Sequence, residues 1–236
     1  MSALDVPFRL DRSRNATAQV FEHLRAQIVG LALKPGTVLA RPALCEYFQL
    51  SQSPIREALL RLEEERLVDI YPQHQTRVRA IDLAAARQAH FFRLSVELEI
   101  AWVLAREPRP ELGRQLLDLV ARQRGCLAAG DLEQFTRIDM EFHKRMYDAS
   151  ELPDLWVLTR RRSGNLDRLR RLHLPLNGKA QSILQQHGRI ARCIARGDAA
   201  GAQRAVRDHL SGTLQALDVL RERFPDMLLP PDYPPA

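Results

Sequence analysis

The fold of the N-terminal part of the chain is decided by the ten residues LSQSPIREAL at positions 50–59. The apolar residues recur with the i, i+3, i+4, i+7 spacing of one helix face: Ile55, Ala58, Leu59 and Leu62. Ser51 precedes them as a candidate N-cap, and Pro54 lies in the first turn, where a missing N–H costs little. The pattern predicts a helix whose core-facing side is apolar and whose other side is polar.

The segments around this helix predict a winged helix-turn-helix. A first helix is expected over residues 17–29, with Thr17 as its N-cap and Gly30 as its end. A second, short helix is expected over 42–48. The extended runs at 68–71 and 76–80 predict a small hairpin after the third helix. Three helices with a tight second connection, followed by a hairpin, are typical of DNA-binding domains of this kind.

The polar face of the third helix carries side chains that suit DNA. Gln52, Ser53 and Arg56 lie near the helix N-terminus, where recognition helices contact base edges. Arg56 can bind guanine in a bidentate manner, although an ordinary solvated surface arginine is the alternative. Ser51 and Ser53, together with the helix N-terminus, suit phosphate oxygens.

Further basic residues could extend this surface. Arg41 opens the preceding helix and can reach the DNA backbone. Arg77 and Arg79, on the hairpin, could touch a groove or a phosphate.

Residues 20–78 resemble the DNA-binding domain of the GntR family. The resemblance rests on LKPG at 33–36, on SQSPIREAL at 51–59 and on LEEERLV at 62–68. It implies DNA contacts by the residues that match the family's own: Arg41, Ser51, Ser53 and Arg56. Gln52 stands where most members have arginine, which predicts a preference for adenine over guanine. Gln75 stands where the wing tip usually has glycine, which argues against close entry of the wing into the minor groove.

Everything after Asp82, a candidate N-cap, is predicted to be helical. The expected helices, separated by proline and glycine signals, are 83–106, 110–129, 132–150, 153–173, 179–196 and 199–224. The fold class is therefore mainly α, with an N-terminal winged helix-turn-helix and a C-terminal all-α antiparallel bundle of about six helices. The predicted organisation is a flexible arm (1–16), a DNA-binding domain (17–80), a helical effector- and metal-binding domain (82–224) and a proline-rich tail (225–236).

Four side chains of the bundle form a candidate metal site. Asp139 and His143 lie one turn apart on or beside the apolar stripe of their helix, and an inward carboxylate is costly unless it is paired or bound to a metal. His187 and His209 each lie on the apolar face of a later helix. Three histidines and a carboxylate suit zinc, and also nickel, manganese or iron. On residue pattern alone, ordinary core histidines remain an equal alternative.

Residues 82–224 resemble the FCD ligand-binding domain that accompanies many GntR regulators. The matching motifs are DMEFH at 139–143, QHGRI at 186–190 and DHL at 208–210. The resemblance implies that Asp139, His143, His187 and His209 bind a divalent metal ion. Arg93 matches an arginine that often meets the effector's carboxylate in this family. Its alternative is a helix-surface pair with Glu97 at i, i+4.

Composition limits the classes of function. The 35 basic and 29 acidic residues give a net charge of +6, which is compatible with a polyanionic partner. The three cysteines match no zinc knuckle and are expected to be reduced. With no signal peptide or membrane-length apolar run, the sequence predicts a cytoplasmic protein without a membrane partner.

These observations predict a sequence-specific, ligand-responsive transcription regulator, expected to be a repressor. Its expected partners are a palindromic double-stranded DNA operator, a small organic acid effector and a second copy of the chain. The first bundle helix carries the apolar residues Phe91, Leu94, Leu98 and Trp102, and some of this surface could serve the homodimer interface. The alternatives are a metal-dependent hydrolase-like enzyme, for which no general base is well placed, and a DNA-binding protein without an effector.

Overall fold

The computed structural model describes residues 8–71, 74–107, 109–176 and 178–230. Its elements in chain order are α1 (Ala16–Val29), α2 (Arg41–Phe48), α3 (Gln52–Glu64), β1 (Val68–Tyr71), β2 (Gln75–Val78), α4 (Leu83–Arg106), α5 (Pro110–Ala128), α6 (Leu132–Ala149), α7 (Pro153–Arg162), α8 (Gly164–His173), α9 (Lys179–Ala195), α10 (Ala199–Gln215), α11 (Leu217–Arg223) and a 3-10 turn (Pro225–Met227). The predicted fold class is confirmed: the chain is mainly helical, with a small N-terminal wing. Among the described helices, none has the length and apolar character that a membrane span requires.

The chain divides into two compact units. The first takes in the described residues within Met1–Ala86, Arg162–Arg171 and Val219–Ala236, and the second those within Arg87–Arg161 and Leu172–Asp218. These units differ from the predicted boundaries, because α8 and the last part of the chain pack with the first unit. The assignment of 17–80 and 82–224 as functional domains stays a prediction.

The core of the first unit is built by α1, α2 and α3. The four apolar residues predicted for α3 are all buried: Ile55, Ala58, Leu59 and Leu62. They pack with buried residues of α1 and α2 in one apolar cluster. The N-cap of α1 is Asn15, whose Oδ1 accepts from the Ala18 N–H at 2.9 Å. The prediction of Thr17 as the cap was wrong, because its hydroxyl donates to Glu57 on α3.

The connection between α2 and α3 is as tight as predicted. Gln49 ends α2 in the left-handed region with φ 53°, and the Leu50 N–H returns to the Cys45 carbonyl at 3.1 Å. Ser51 occupies the N-cap position of α3, but its side chain makes no capping hydrogen bond. The prediction that Ser51 caps α3 through its hydroxyl was therefore wrong.

The wing contains one more strand-like segment than expected. β1 and β2 pair in antiparallel register from Val68–Val78 to Tyr71–Gln75. On the other side of β2, Val38 bridges to Arg77, and the Leu39 N–H donates to the Thr76 carbonyl at 2.8 Å. Gly36, at φ 82°, makes the turn that leads into this segment, a backbone conformation that favours glycine.

The expected single helix at 153–173 is two helices. It breaks at Ser163, whose hydroxyl donates to Asp167 Oδ2 at 2.6 Å at the start of α8. A Cβ on Gly164 would lie 2.9 Å from Leu67 Cδ2, so glycine allows α8 to approach the base of the wing closely. The predicted helix 199–224 is likewise divided, into α10 and α11 at Ala216. The bundle segment thus has eight helices, α4–α11, in its described part rather than about six.

A buried arginine of α8 forms hydrogen bonds with other groups of the first unit. Arg168 is fully buried, and its Nη1 donates to the Arg79 carbonyl at 2.6 Å. Its Nη2 donates to Asn165 Oδ1 at 2.6 Å, and the same oxygen accepts from the Asp82 N–H at 2.9 Å. Burial lowers the pKa of Arg168 to about 9, so the guanidinium is still charged at neutral pH.

Both ends of the described chain make contacts within the first unit. Phe8 packs edge-on against Phe48, and the Asp11 N–H donates to Gln19 Oε1, although residues 11–15 are exposed. The flexibility of the arm stays a prediction. At the other end, Ile81 exchanges backbone hydrogen bonds with Met227 and Leu229. Residues 1–7 of the predicted arm and 231–236 of the predicted tail lie outside the described residues.

The core of the second unit lies among α5, α6, α9 and α10. Each helix turns an apolar stripe inward, as the amphipathic pattern of α6 illustrates with Phe135, Ile138, Phe142 and Met146, all of them buried. The same inward faces carry buried polar residues, and four of them are the predicted metal ligands Asp139, His143, His187 and His209.

Candidate functional site

The four predicted metal ligands meet inside the second unit. Asp139 and His143 come from α6, His187 from α9 and His209 from α10, and all four are buried. Each offers a ligand atom, and these atoms all lie within 4.8 Å of one another. Residues that are 70 positions apart in sequence therefore form one compact group that could hold a metal ion.

The imidazole rings approach each other through their Nε2 atoms. His143 Nε2 lies 3.1 Å from His209 Nε2, and His187 Nε2 lies 3.2 Å from the same atom. Asp139 Oδ1 lies 3.6 Å from His187 Nε2. Phe142 stacks on the His187 ring, with centroids 4.0 Å apart and planes 4° apart, which restrains the orientation of that imidazole.

The opposite ring nitrogens all face oxygen acceptors. His143 Nδ1 lies 2.7 Å from Glu97 Oε2, His187 Nδ1 lies 2.8 Å from Gln123 Oε1, and His209 Nδ1 lies 3.2 Å from Gln186 Oε1. In each case Nδ1–H donates, so a neutral ring presents a bare lone pair at Nε2. Three lone pairs and a carboxylate that converge in a buried space repel one another. A divalent cation would relieve that repulsion, and three nitrogens with one oxygen suit zinc.

The protonation states agree with this donor set. Burial lowers the pKa of His143 and favours the neutral ring that metal binding requires, although Glu97 opposes the shift. Burial by itself raises the pKa of Glu97, but Arg93 and then His143 outweigh it and lower that pKa to about 2. Glu97 is therefore an anion, and its carboxylate can only accept from His143.

Arg93 lies beside this centre rather than on the surface. Its Nε donates to Glu97 Oε1 at 2.6 Å, so the i, i+4 pair exists, but only 5% of Arg93 is exposed and the expectation of a helix-surface pair was wrong. Burial tends to lower the pKa of Arg93, yet Glu97 and Asp139 raise it above its ordinary value. In the described chain the hydrogen bonds of Arg93 reach Glu97 through Nε alone, which leaves its two terminal nitrogens as donors for another anion.

The sequence did not predict the three oxygen partners of the imidazoles, which are Glu97, Gln123 and Gln186. Gln123 lies fully buried on the apolar face of α5, and its Nε2 donates to the Phe135 carbonyl at 3.3 Å, which fixes Oε1 toward His187. Glu97 entered the sequence predictions as a partner of Arg93. A polar residue on the apolar face of an amphipathic helix needs a buried hydrogen-bond partner, and this signal could have identified Gln123.

Six of the residues expected to contact DNA lie on the surface of the first unit. Exposed positions are held by Arg41 at the start of α2, by Ser51, Gln52, Ser53 and Arg56 at the start of α3, and by Arg77 on β2. The Ser51 hydroxyl makes no capping bond, so it remains a donor at the helix N-terminus. The first turn of α3 contains no acidic residue, which favours an anion there.

One expectation for the wing was wrong. Arg79 is 4% exposed and pairs with Asp69 at 3.3 Å, so it belongs to the interior of the first unit and cannot touch DNA. Gln75 belongs to β2, where it pairs with Tyr71, and the expectation that it hinders entry of the wing into the minor groove stays a prediction. Positions 72 and 73 of the tip lie outside the described residues.

Comparison with known proteins gives two family matches. Residues 16–78 match the bacterial regulatory proteins of the gntR family, and residues 88–212 match the FCD domain. An HTH-type transcriptional regulator in an unstable DNA locus of Streptomyces ambofaciens is 31% identical over 215 residues, 91% of this chain and 90% of that protein. The HTH-type transcriptional repressor RspR of Escherichia coli is 25% identical over 223 residues, 94% of this chain and 98% of that protein.

Solved structures support the fold. E. coli McbR/YncC superposes with a TM-score of 0.72 at 20% identity, covering 89% of this chain and 99% of that one. A GntR transcriptional regulator from Rhodococcus sp. RHA1 superposes with a TM-score of 0.69 at 19% identity, covering 86% and 97%. The relatives are transcription regulators and not enzymes, so the alternative of a metal-dependent hydrolase is set aside.

Proposed function

Because this chain belongs to the GntR family of bacterial regulatory proteins and carries an FCD domain, we propose that it is a ligand-responsive transcription regulator that reads a specific operator. The main support for the proposal is that α3 has one buried apolar face and one exposed polar face. Ile55, Leu59 and Leu62 are buried, while Gln52 and Arg56 are exposed near the N-terminus of the helix. Recognition helices contact base edges from that end.

The exposed residues take different parts in DNA binding. Arg56 reads guanine through a bidentate contact, and Gln52 reads adenine. The hydroxyls of Ser51 and Ser53 bind phosphate together with the N-terminus of α3. Arg41 and Arg77 add backbone contacts on either side, which position the helix without specifying sequence.

Binding to operator DNA tests this part directly. DNA upstream of the protein's own gene is labelled, and the full chain is titrated at fixed salt against the same DNA in scrambled order. A site-specific regulator binds the native fragment at least about 10³-fold more tightly. Equal affinity for both fragments, in this and in neighbouring intergenic DNA, would contradict the proposal.

The proposed working form is a homodimer on a palindromic site. Symmetric dimers of helix-turn-helix proteins bind two half-sites, and each protomer reads one of them. Phe91 on α4 is 73% exposed, which is unusual for a large apolar side chain and supports a protein contact at this face. Light scattering of wild type and Phe91→Glu tests the interface: a shift from dimer to monomer supports it, and an unchanged mass contradicts it.

We further propose that the bundle holds a divalent metal ion, with zinc the first choice. Asp139, His143, His187 and His209 would be the ligands, and Glu97, Gln123 and Gln186 would hold the three imidazoles in the binding tautomer. When bound, the ion supplies a positive centre that attracts an oxygen ligand. Elemental analysis of the dialysed full chain should find about one metal per protomer, and His187→Ala should lose it. Equal metal content in both would contradict the assignment.

The effector is proposed to be a small organic acid. Arg93 supports this class of effector, because its charge is buried beside the proposed metal ligands. Its Nε donates to Glu97, and its terminal nitrogens can donate further hydrogen bonds. A buried guanidinium binds a carboxylate through paired hydrogen bonds. Acetate, succinate and citrate serve as first probes in thermal-shift titrations of wild type and Arg93→Lys. Stabilisation that is lost in the variant supports the effector role, and equal stabilisation contradicts it.

The effector can control DNA binding only if it binds two states of the protein with different affinity. The effector must bind the DNA-competent and DNA-incompetent states unequally, and operator DNA must then alter effector affinity by the same factor. We propose that the chain acts as a repressor, which is the role in the name of the similar RspR, and that the effector relieves repression by this chain. The site of action is the bacterial cytoplasm, where the operator lies. Operator affinity that stays unchanged at saturating effector would contradict the switch.

A further inference from the structure

A groove between α5 and α9 is lined by none of the four proposed metal ligands. It has a volume of about 510 Å³, which is in the range of pockets that hold one small organic molecule. The apolar residues that line it include Val120 and Leu184, which are both largely buried. Leu117, at the mouth of the groove, is 37% exposed. We propose that this groove is a second ligand site, for a small organic anion with an apolar body.

The charge of the groove favours an anion. Arg124 on α5 and Arg192 on α9 both line it, and no acidic residue is found among the described residues of its lining. Neither arginine makes an ion pair within the described part of the chain, so both positive charges are available.

The neighbouring arginines of the same helices are arranged differently. Arg122 on α5 pairs with Glu141 at 3.2 Å, and Arg189 on α9 pairs with Asp208 at 3.3 Å. Arg122 and Arg189, outside the groove, thus have acidic partners, whereas Arg124 and Arg192, which line it, have none among the described residues. This contrast sets the groove apart from an ordinary solvated basic surface.

A glycine of the lining lets the Arg192 guanidinium lie close to α9. A Cβ added to Gly188 would lie 3.0 Å from Arg192 Nη1, so a larger residue here would shift the guanidinium slightly. The groove also adjoins the metal centre in sequence: Gln123 and His187, which are hydrogen-bonded to each other across α5 and α9, directly precede Arg124 and Gly188. A ligand in the groove therefore contacts the same helix pair that orients one metal ligand.

Anilinonaphthalene sulfonate is a suitable probe, because it is a small anion with an apolar body and its fluorescence rises in apolar surroundings. Full-length wild type is compared with the double variant Arg124→Gln/Arg192→Gln. The matched control, Arg122→Gln/Arg189→Gln, removes the same charge from the same helices outside the groove. A third variant, Leu117→Glu, adds an acidic group at the exposed mouth without altering either arginine.

The proposal expects saturable binding near one probe per protomer, weakened at least about tenfold in the groove double variant and in Leu117→Glu, and unchanged in the control. Near-ultraviolet circular dichroism establishes that each variant is folded. Equal binding in all four proteins, equal loss in the control, or no saturable binding in wild type would overturn it. So would a change in oligomeric mass on light scattering confined to the groove variants, because the occupant would then be a second copy of the chain.

Discussion

Replacing Gln123 with methionine tests the metal centre without removing a proposed ligand. Gln123 is fully buried, and its Oε1 accepts from His187 Nδ1 at 2.8 Å. Methionine has a similar volume but offers only a weak acceptor. The His187 ring then either keeps a buried Nδ1–H without its oxygen partner or moves the proton to Nε2, where it blocks the lone pair.

Both outcomes weaken metal binding. A buried donor without a partner costs about 1–3 kcal/mol. Loss of an oxygen partner behind a metal-binding histidine lowers metal affinity by about 10- to 100-fold, or about 1.4–2.7 kcal/mol. Metal-free protein, prepared with a chelator, is titrated with zinc in competition with a chromophoric chelator of known affinity.

The matched control is Gln115→Met. Gln115 lies on the same helix but is exposed, where it accepts from Arg145 at 2.8 Å. We expect wild-type zinc affinity in this control. Equal zinc affinity for Gln123→Met and Gln115→Met, with both proteins folded, would refute the argument that Gln123 orients His187.

Three further substitutions have defined outcomes. Leu59→Ala removes a fully buried side chain from the core of the first unit and should lower the free energy of unfolding by about 2–5 kcal/mol in urea titrations. Arg168→Met removes the donors to the Arg79 carbonyl and to Asn165, and should lower stability by about 2–3 kcal/mol while metal content stays unchanged. Gln52→Arg should shift the preferred base at its position from adenine toward guanine in selection from random DNA.

Each of these results has a counterpart that would contradict it. A stability loss below about 1 kcal/mol for Leu59→Ala would mean that the site is not tightly packed. Loss of metal in Arg168→Met would contradict the expectation that a substitution in the first unit leaves metal binding by the second unit unchanged. An unchanged base preference in Gln52→Arg would remove residue 52 from the base-reading set.

Local patterns in the sequence predicted the central elements well. The apolar spacing of Ile55, Ala58, Leu59 and Leu62 identified the buried face of α3 because helix periodicity is a property of adjacent residues. The metal group required more than periodicity. Spacing alone left core histidines as an equal alternative, and the resemblance to the FCD domain indicated the four residues that the structure brings together.

The features that sequence missed depend on distant partners. Arg79 resembled a surface arginine of a hairpin, yet Asp69 and the close approach of α8 bury it. The break at Ser163 carries no proline, and it lies where Gly164 closely approaches Leu67, almost a hundred residues away. Such tertiary contacts override local propensity and cannot be recognised from neighbouring residues.

The central claim is that α3 reads a specific DNA sequence through Arg56, which is exposed on the polar face of that helix. The most direct test measures operator and scrambled-DNA affinities at fixed salt for wild type, Arg56→Ala and Arg223→Ala, an exposed arginine of α11 as the control. We expect Arg56→Ala to lose about 1–3 kcal/mol of operator binding, roughly 5- to 150-fold, with little change on scrambled DNA. Arg223→Ala should match wild type on both DNAs. Equal operator affinity in all three proteins would contradict the assignment of α3 as the recognition helix.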